Sequence, residues 1–175
     1  MPLEIALQLE IERLHARYAH ALDEDRLEDW PGFFAASGCY RIVTAENHAA
    51  GLPLPLLYAD SRAMMRDRVA SLRHANVYEP QRYRHLVAGA VVERLDPEHA
   101  SSVAGFLVLR ILQDGDTIAF ASGRYLDRIL LAGEDGTPQY QDRTVVCDSR
   151  RFDTQLEPDR KLSLQPLSPR PQPCL

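Results

Sequence analysis

Apolar residues recur at helical spacing at the start of the chain: Leu7, Ile11, Leu14, Tyr18 and Leu22. Glu10, Glu12, Arg13 and Arg17 occupy the other faces. The pattern predicts a helix over residues 3–23, ended by Asp23-Glu24-Asp25. A shorter helical segment is expected at 27–34, anchored by Trp30, Phe33 and Phe34, with Pro31 near its start. Gly38 then breaks the chain before β-branched Ile42, Val43 and Thr44, which predict a strand over 39–45. Gly51, Pro53 and Pro55 mark 47–55 as loop, and 56–59 as a short strand. Ser61 suits the N-cap of a helix over 62–74. Met65, Val69 and Leu72 are its expected buried face, with Arg62, Arg66, Arg68 and Arg73 pointing elsewhere.

Beyond Tyr83 the period changes from helical to extended. Residues 84–95, 101–113, 117–131 and 139–152 read as four long strands. Asp96-Pro97, Asp114-Gly115 and Asp135-Gly136 separate them, and Asp-Gly between strands is a strong hairpin signal because glycine accepts positive φ. Short turns imply an antiparallel meander. Phe106-Leu107-Val108-Leu109 is apolar on both faces, so its strand is expected to be central and covered on both sides. Helices first and a long sheet last give an α+β domain over 1–156. The proline-rich tail over 157–175 cannot be regular helix or central strand.

A length of 175 residues fits one domain able to bury a core without disulfides. The formal net charge of −5 argues against a nucleic-acid partner. No apolar run approaches the roughly 20 residues of a membrane span, and the N-terminus lacks the basic region of a signal peptide. Three widely spaced cysteines without a CxxC fit a cytoplasmic location. Arginine outnumbers lysine 19 to one. That bias suits bidentate ion pairs and interfaces, and equally follows from a GC-rich genome.

The run over 51–87, GLPLPLLYADSRAMMRDRVASLRHANVYEPQRYRHLV, resembles the small (beta) subunits of Rieske-type aromatic-ring-hydroxylating dioxygenases. The likeness is greatest to systems acting on salicylate- or terephthalate-like acids. The departure is Val77-Tyr78, where many such subunits carry Ala-Trp. The Trp30, Phe34, Gly38, Tyr40 series resembles the wider nuclear-transport-factor-like superfamily. The resemblance implies a curved antiparallel sheet wrapped around N-terminal helices, a cone or cystatin-like roll. It implies a non-catalytic structural subunit, with no cofactor in this chain. The Rieske 2Fe-2S cluster and mononuclear iron would belong to the partner, a catalytic large (alpha) subunit, and three copies of each chain would assemble with the small subunits as a trimer. An NADH-dependent reductase would supply electrons. Asp60, Arg68, Arg73, Arg84 and His85 match the small-subunit pattern and are the expected interface residues. As an alternative, the Arg-rich helix is a solvated basic face.

Acid–base chemistry is the competing reading. Some cones of that superfamily are isomerases or dehydratases that hold a pocket between the first helix and the sheet. Tyr18, Asp23, Tyr58 and His85, with Tyr125 and Asp127, are the candidates for such a pocket here. Alternatively, Tyr18 and Tyr125 are core aromatics and Asp23 closes a helix. His15, His20, His48, His74, His85 and His99 show no metal-ligand spacing, and the paired Cys-x-His pattern of a Rieske centre is absent.

Overall fold

The computed structural model describes residues 2–52, 54–75 and 81–148. The tail over 157–175, the end of the last extended run, and Val77-Tyr78 lie outside the described residues.

Helix α1 spans Pro2–Asp23 and buries Leu7, Ile11, Leu14, His15, Tyr18, Ala19 and Ala21 along one stripe. Its end is a Schellman motif. Asp25 takes the left-handed conformation at φ 56°. The Arg26 N–H then reaches the Ala21 carbonyl at 2.8 Å, and the Asp25 N–H the Leu22 carbonyl at 3.2 Å. A short 3-10 turn, Leu27–Phe33, follows and buries Trp30 and Pro31. Phe34 does not close that turn as expected. It opens strand β1, Phe34–Thr44.

The expected loop begins instead with a one-turn helix, α2 (Ala45–Ala49), because the Thr44 hydroxyl caps it by accepting the Asn47 N–H at 3.1 Å. Strand β2 is Leu57–Ala59. Helix α3, Arg62–Ala75, starts where expected, and the Met64 N–H donates to the Ser61 hydroxyl at 3.4 Å. Met65 and Val69 are buried, but Leu72 is 44% exposed, so the last turn of α3 does not contribute to the core.

Four strands complete the sheet: β3 (Arg82–Arg94), β4 (His99–Ile111), β5 (Thr117–Leu130) and β6 (Gln139–Cys147). They form the expected meander, and the order across the sheet is β2-β1-β6-β5-β4-β3. The β1–β6 pairing is parallel, a departure from a purely antiparallel sheet. Bulges bend it. Val91 pairs with Val103 while Ala88 pairs with Gly105, so β3 carries one extra residue at Gly89, whose φ is 64°. Further irregularities lie in β1 after Phe34, between Val108 and Leu109, and between Arg128 and Ile129. Curvature of this kind lets α1 and the sheet's inner face share one core that includes Tyr18, Phe34, Tyr125 and Tyr140.

Strand β4 is covered on one face only. Ala100, Ser102, Ala104, Phe106, Val108 and Arg110 are buried, whereas Val103 and Gly105 are exposed and Leu107 and Leu109 half-buried. Two-sided apolarity here does not reflect two-sided burial by the described residues. It leaves an apolar outer face, to which β3 adds exposed Leu86 and Val91.

Candidate functional site

Two clusters of polar side chains are built by this fold. The first lies inside the cone. Asp127 on β5 and Arg143 on β6 are register partners and both point inward. Nε and Nη2 of Arg143 donate to the two carboxylate oxygens of Asp127, each at 2.8 Å. Nη2 also lies 2.9 Å from Nδ1 of His15. A guanidinium has no acceptor, so Nδ1 must carry the lone pair and Nε2 the proton. Nε2 accordingly donates to the Ser102 hydroxyl at 2.9 Å. The Tyr140 hydroxyl lies 2.9 Å from Nδ1. The rings of Tyr18, Tyr125 and Tyr140 surround the guanidinium carbon at 4.4, 4.1 and 3.8 Å.

Electrostatics follow from burial. Burial and then the Arg143 charge lower the His15 pKa to about 3, so the ring is neutral. Burial pushes the Asp127 carboxyl above its ordinary value while Arg143 opposes the rise. Burial also works against the Arg143 cation, but Asp127 and Tyr140 outweigh it and hold its pKa well above the usual one. Tyr140 is raised, chiefly by burial, and stays a neutral phenol. The arrangement holds a cation, an anion and a neutral imidazole in fixed protonation states.

The second cluster forms at the rim, where the end of α1 meets β3 and the turn after it meets α3. Asp23, at the end of α1, accepts the His85 backbone N–H at 2.9 and 3.1 Å and its Nδ1 at 2.6 Å. A carboxylate only accepts, so Nδ1 is the protonated nitrogen. Nη1 of Arg84 lies 3.5 Å from the same carboxylate. The Schellman turn brings Asp25 and Glu28 beside α3, and Arg73 grips both, Nη1 to Asp25 at 2.7 Å and Nε to Glu28 at 2.8 Å. The Arg73 hydrogen bond draws the Glu28 carboxyl down to about 2.

The expected pocket residues are therefore distributed over separate places. Asp23 and His85 meet at the rim. Tyr18, Tyr125 and Asp127 belong to the buried cage. Tyr58 sits on β2, the strand at the opposite edge of the sheet from β3, which carries His85. Of the expected interface residues, Arg73, Arg84 and His85 share the rim. Asp60 is exposed and accepts the Ser61 hydroxyl at 3.1 Å, and Arg68 is half-buried on α3. Sequence reasoning missed His15, Ser102, Tyr140 and Arg143. Their signal was a charge at an inward register position: Asp127 and Arg143 each alternate with apolar residues that face the core.

No group of three or more His, Cys, Asp or Glu side chains that could hold a metal exists among the described residues. These residues do not fit an iron–sulfur cluster, which needs four Cys or two Cys and two His ligands.

Residues 17–154 match the family described as ring hydroxylating beta subunit. The chain is 42% identical over 147 residues to the beta 1 subunit of the terminal oxygenase component of terephthalate 1,2-dioxygenase from a Comamonas species, covering 84% of this chain and 94% of that one. It is 38% identical over 148 residues to the anthranilate 1,2-dioxygenase small subunit of Burkholderia cepacia, covering 84% and 90%. A crystal structure described as the beta subunit of an aromatic-ring-hydroxylating dioxygenase from Novosphingobium aromaticivorans superposes with a TM-score of 0.78 at 35% identity, covering 85% and 94%.

Proposed function

This chain belongs to the ring-hydroxylating beta-subunit family, and from that premise we propose that it is the structural small subunit of a multicomponent oxygenase acting on an aromatic carboxylic acid. It supports assembly of a catalytic large subunit, which holds the Rieske cluster and mononuclear iron. The observation that supports a structural role is the buried cage inside the cone. Where a cone enzyme needs a cavity, Arg143, Asp127 and three tyrosines pack against one another. The choice of an aromatic acid follows the relatives named for terephthalate and anthranilate.

Self-association as a trimer uses the outer face of β3 and β4. Leu86 is 48% exposed, Val91 63% and Val103 43%. Leu86 pairs with Leu107, and Val91 with Val103, so the patch is continuous across both strands. A ring of three needs two different surfaces on each chain. The rim residues Arg73, Arg84 and His85, together with Asp60 and Arg68 beside and on α3, supply the polar one. No helix among the described residues is long and apolar enough to cross a membrane. The reading places the assembly in the cytoplasm, where NADH feeds the reductase.

The test is reconstitution. The large subunit is purified with and without this chain, and ring hydroxylation of benzoate-type acids is measured together with the mass of the complex. Assembly and turnover should need both chains. A large subunit that assembles and turns over at full rate alone would overturn the proposal.

A further inference from the structure

We infer that a groove between α1 and the β5–β6 turn seats a carboxylate-bearing segment of the large subunit, an inference that rests on the beta-subunit reading above. The groove has a volume of about 410 Å³. One wall is α1, where Arg13, Arg17 and His20 line it at i, i+4 and i+7 and so share one helix face. Ala16 between them keeps the floor low and apolar. The other wall is the turn that carries Thr137 and Pro138. That turn is held by its own hydrogen bonds, Gly133 N–H to the Thr137 carbonyl and Gly136 N–H to the Gly133 carbonyl, both at 2.9 Å. Gly136 takes the positive φ the turn requires, 68°. The groove is therefore pre-formed on two fixed elements.

Charge selects the occupant. Arg26, Arg41, Arg62, Arg73, Arg84 and Arg143 each pair with a carboxylate of this chain. Among the described residues, the side chains of Arg13, Arg17 and His20 make no hydrogen bond or ion pair, as is also true of Arg66, Arg68, Arg82, Arg124 and Arg128, but these three line one groove, although the chain as a whole is acidic at −5. Glu10 is the one acid among the lining residues. Two exposed guanidiniums one turn apart offer bidentate sites for two carboxylates.

Openness decides between a free acid and a protein segment. Arg13, Ala16, Arg17 and His20 are all exposed, so the groove is wide to solvent along α1. A free aromatic acid would stay largely wet there, whereas small-ligand pockets enclose most of their ligand. An extended segment crosses an open groove and gains contacts beyond it, and arginine is enriched at such interfaces.

The experiment measures affinity between this chain and its cognate large subunit at low and physiological salt. Wild type is compared with the double variant Arg13→Glu/Arg17→Glu and with Glu10→Gln. The double variant should bind roughly 30-fold more weakly or worse, as loss of a desolvated charge pair predicts. Its binding should lose the salt dependence of the wild type, while circular dichroism and self-association stay unchanged. Glu10→Gln should bind at least as tightly as wild type. Wild-type binding with an unaltered double variant overturns the groove alone. Failure of the wild type to bind at all overturns the beta-subunit reading and the groove with it. Saturable perturbation of the His20 ring by benzoate, with assembly indifferent to the double variant, would make the occupant a small acid and also overturn the inference.

Discussion

Arg143 and Asp127 form a bidentate ion pair between adjacent strands, both side chains fully buried, with Nε and Nη2 each 2.8 Å from a carboxylate oxygen. The pair lies inside the cone, packed against the rings of Tyr18, Tyr125 and Tyr140. Its energetics are asymmetric. Burying the pair costs desolvation, but removing one partner strands the other as an uncompensated charge.

Asp127→Ala should therefore destabilise the fold by about 3–5 kcal/mol. The double variant Asp127→Leu/Arg143→Met, which removes both charges and keeps volume, should recover most of that loss. Urea unfolding of the three proteins checks this. A double variant as unstable as the single would show that the cage, rather than the charge balance, supports the core.

His15 supplies a pH signature. Its pKa is about 3 in the folded chain, against an ordinary value of 6.5. Below 6.5 the unfolded state takes up a proton that the folded state refuses, so stability falls as pH drops from about 6.5 towards 3. Each pH unit in that window costs at most about 1.4 kcal/mol. Arg143 and Tyr140 at 2.9 Å and Asp127 at 3.9 Å face the ring. Asp127, raised by burial, acts in the opposite sense, so the His15 contribution is read as the difference between wild type and a variant that lacks the imidazole. His15→Gln should flatten unfolding free energy across that window. A slope equal to wild type would refute the assignment.

Arg73 is engaged by Asp25 and Glu28 within its own chain. Arg73→Glu sets three acids together at the rim, yet the contact is exposed, so the domain should still fold with only a modest drop in melting temperature. Glu28 is depressed to about 2 from 4.5, so the stability it contributes is present above 4.5 and lost as pH falls towards 2. Thermal melts between those pH values should lose that component in the variant. Size exclusion on the same samples reads assembly. Unchanged assembly would remove Arg73 from the proposed interface and leave it as an internal clasp.

Leu86→Lys and Val103→Lys place charge on the outer sheet face without touching the core. Both should fold and should shift the light-scattering mass from trimer towards monomer. A mass that stays trimeric in the double variant would move self-association to another surface.

Gly123 and Gly105 make a matched pair. A Cβ at Gly123 would collide with the Val146 carbonyl oxygen, whereas at Gly105 it would meet the Ala88 oxygen at 3.7 Å, an ordinary contact. Gly123→Ala should destabilise by about 1–3 kcal/mol or more, because backbone must move. Gly105→Ala should be near neutral. Equal effects in chemical denaturation would contradict the strand approach described here.

The sequence by itself determined the order and type of the longer elements. Helical spacing in α1 and α3 and the Asp-Gly turns between strands are local signals, set by side-chain periodicity and backbone freedom. The Ser61 cap and the four-strand meander were legible for the same reason, and the 51–87 run carried the family. What only the tertiary structure decided depended on register and on distant partners. That Asp127 faces Arg143, and that both meet His15 from α1, follows from strand pairing and sheet curvature, which no single segment encodes. Thr44 gained a helix where prolines suggested loop, because one hydroxyl found one N–H. Leu72 kept the right spacing but lay on an exposed turn that no described residue covers. Strand β4 was apolar on both faces, yet the described residues cover only one of them, since periodicity records what a residue prefers and not which neighbour arrives to bury it.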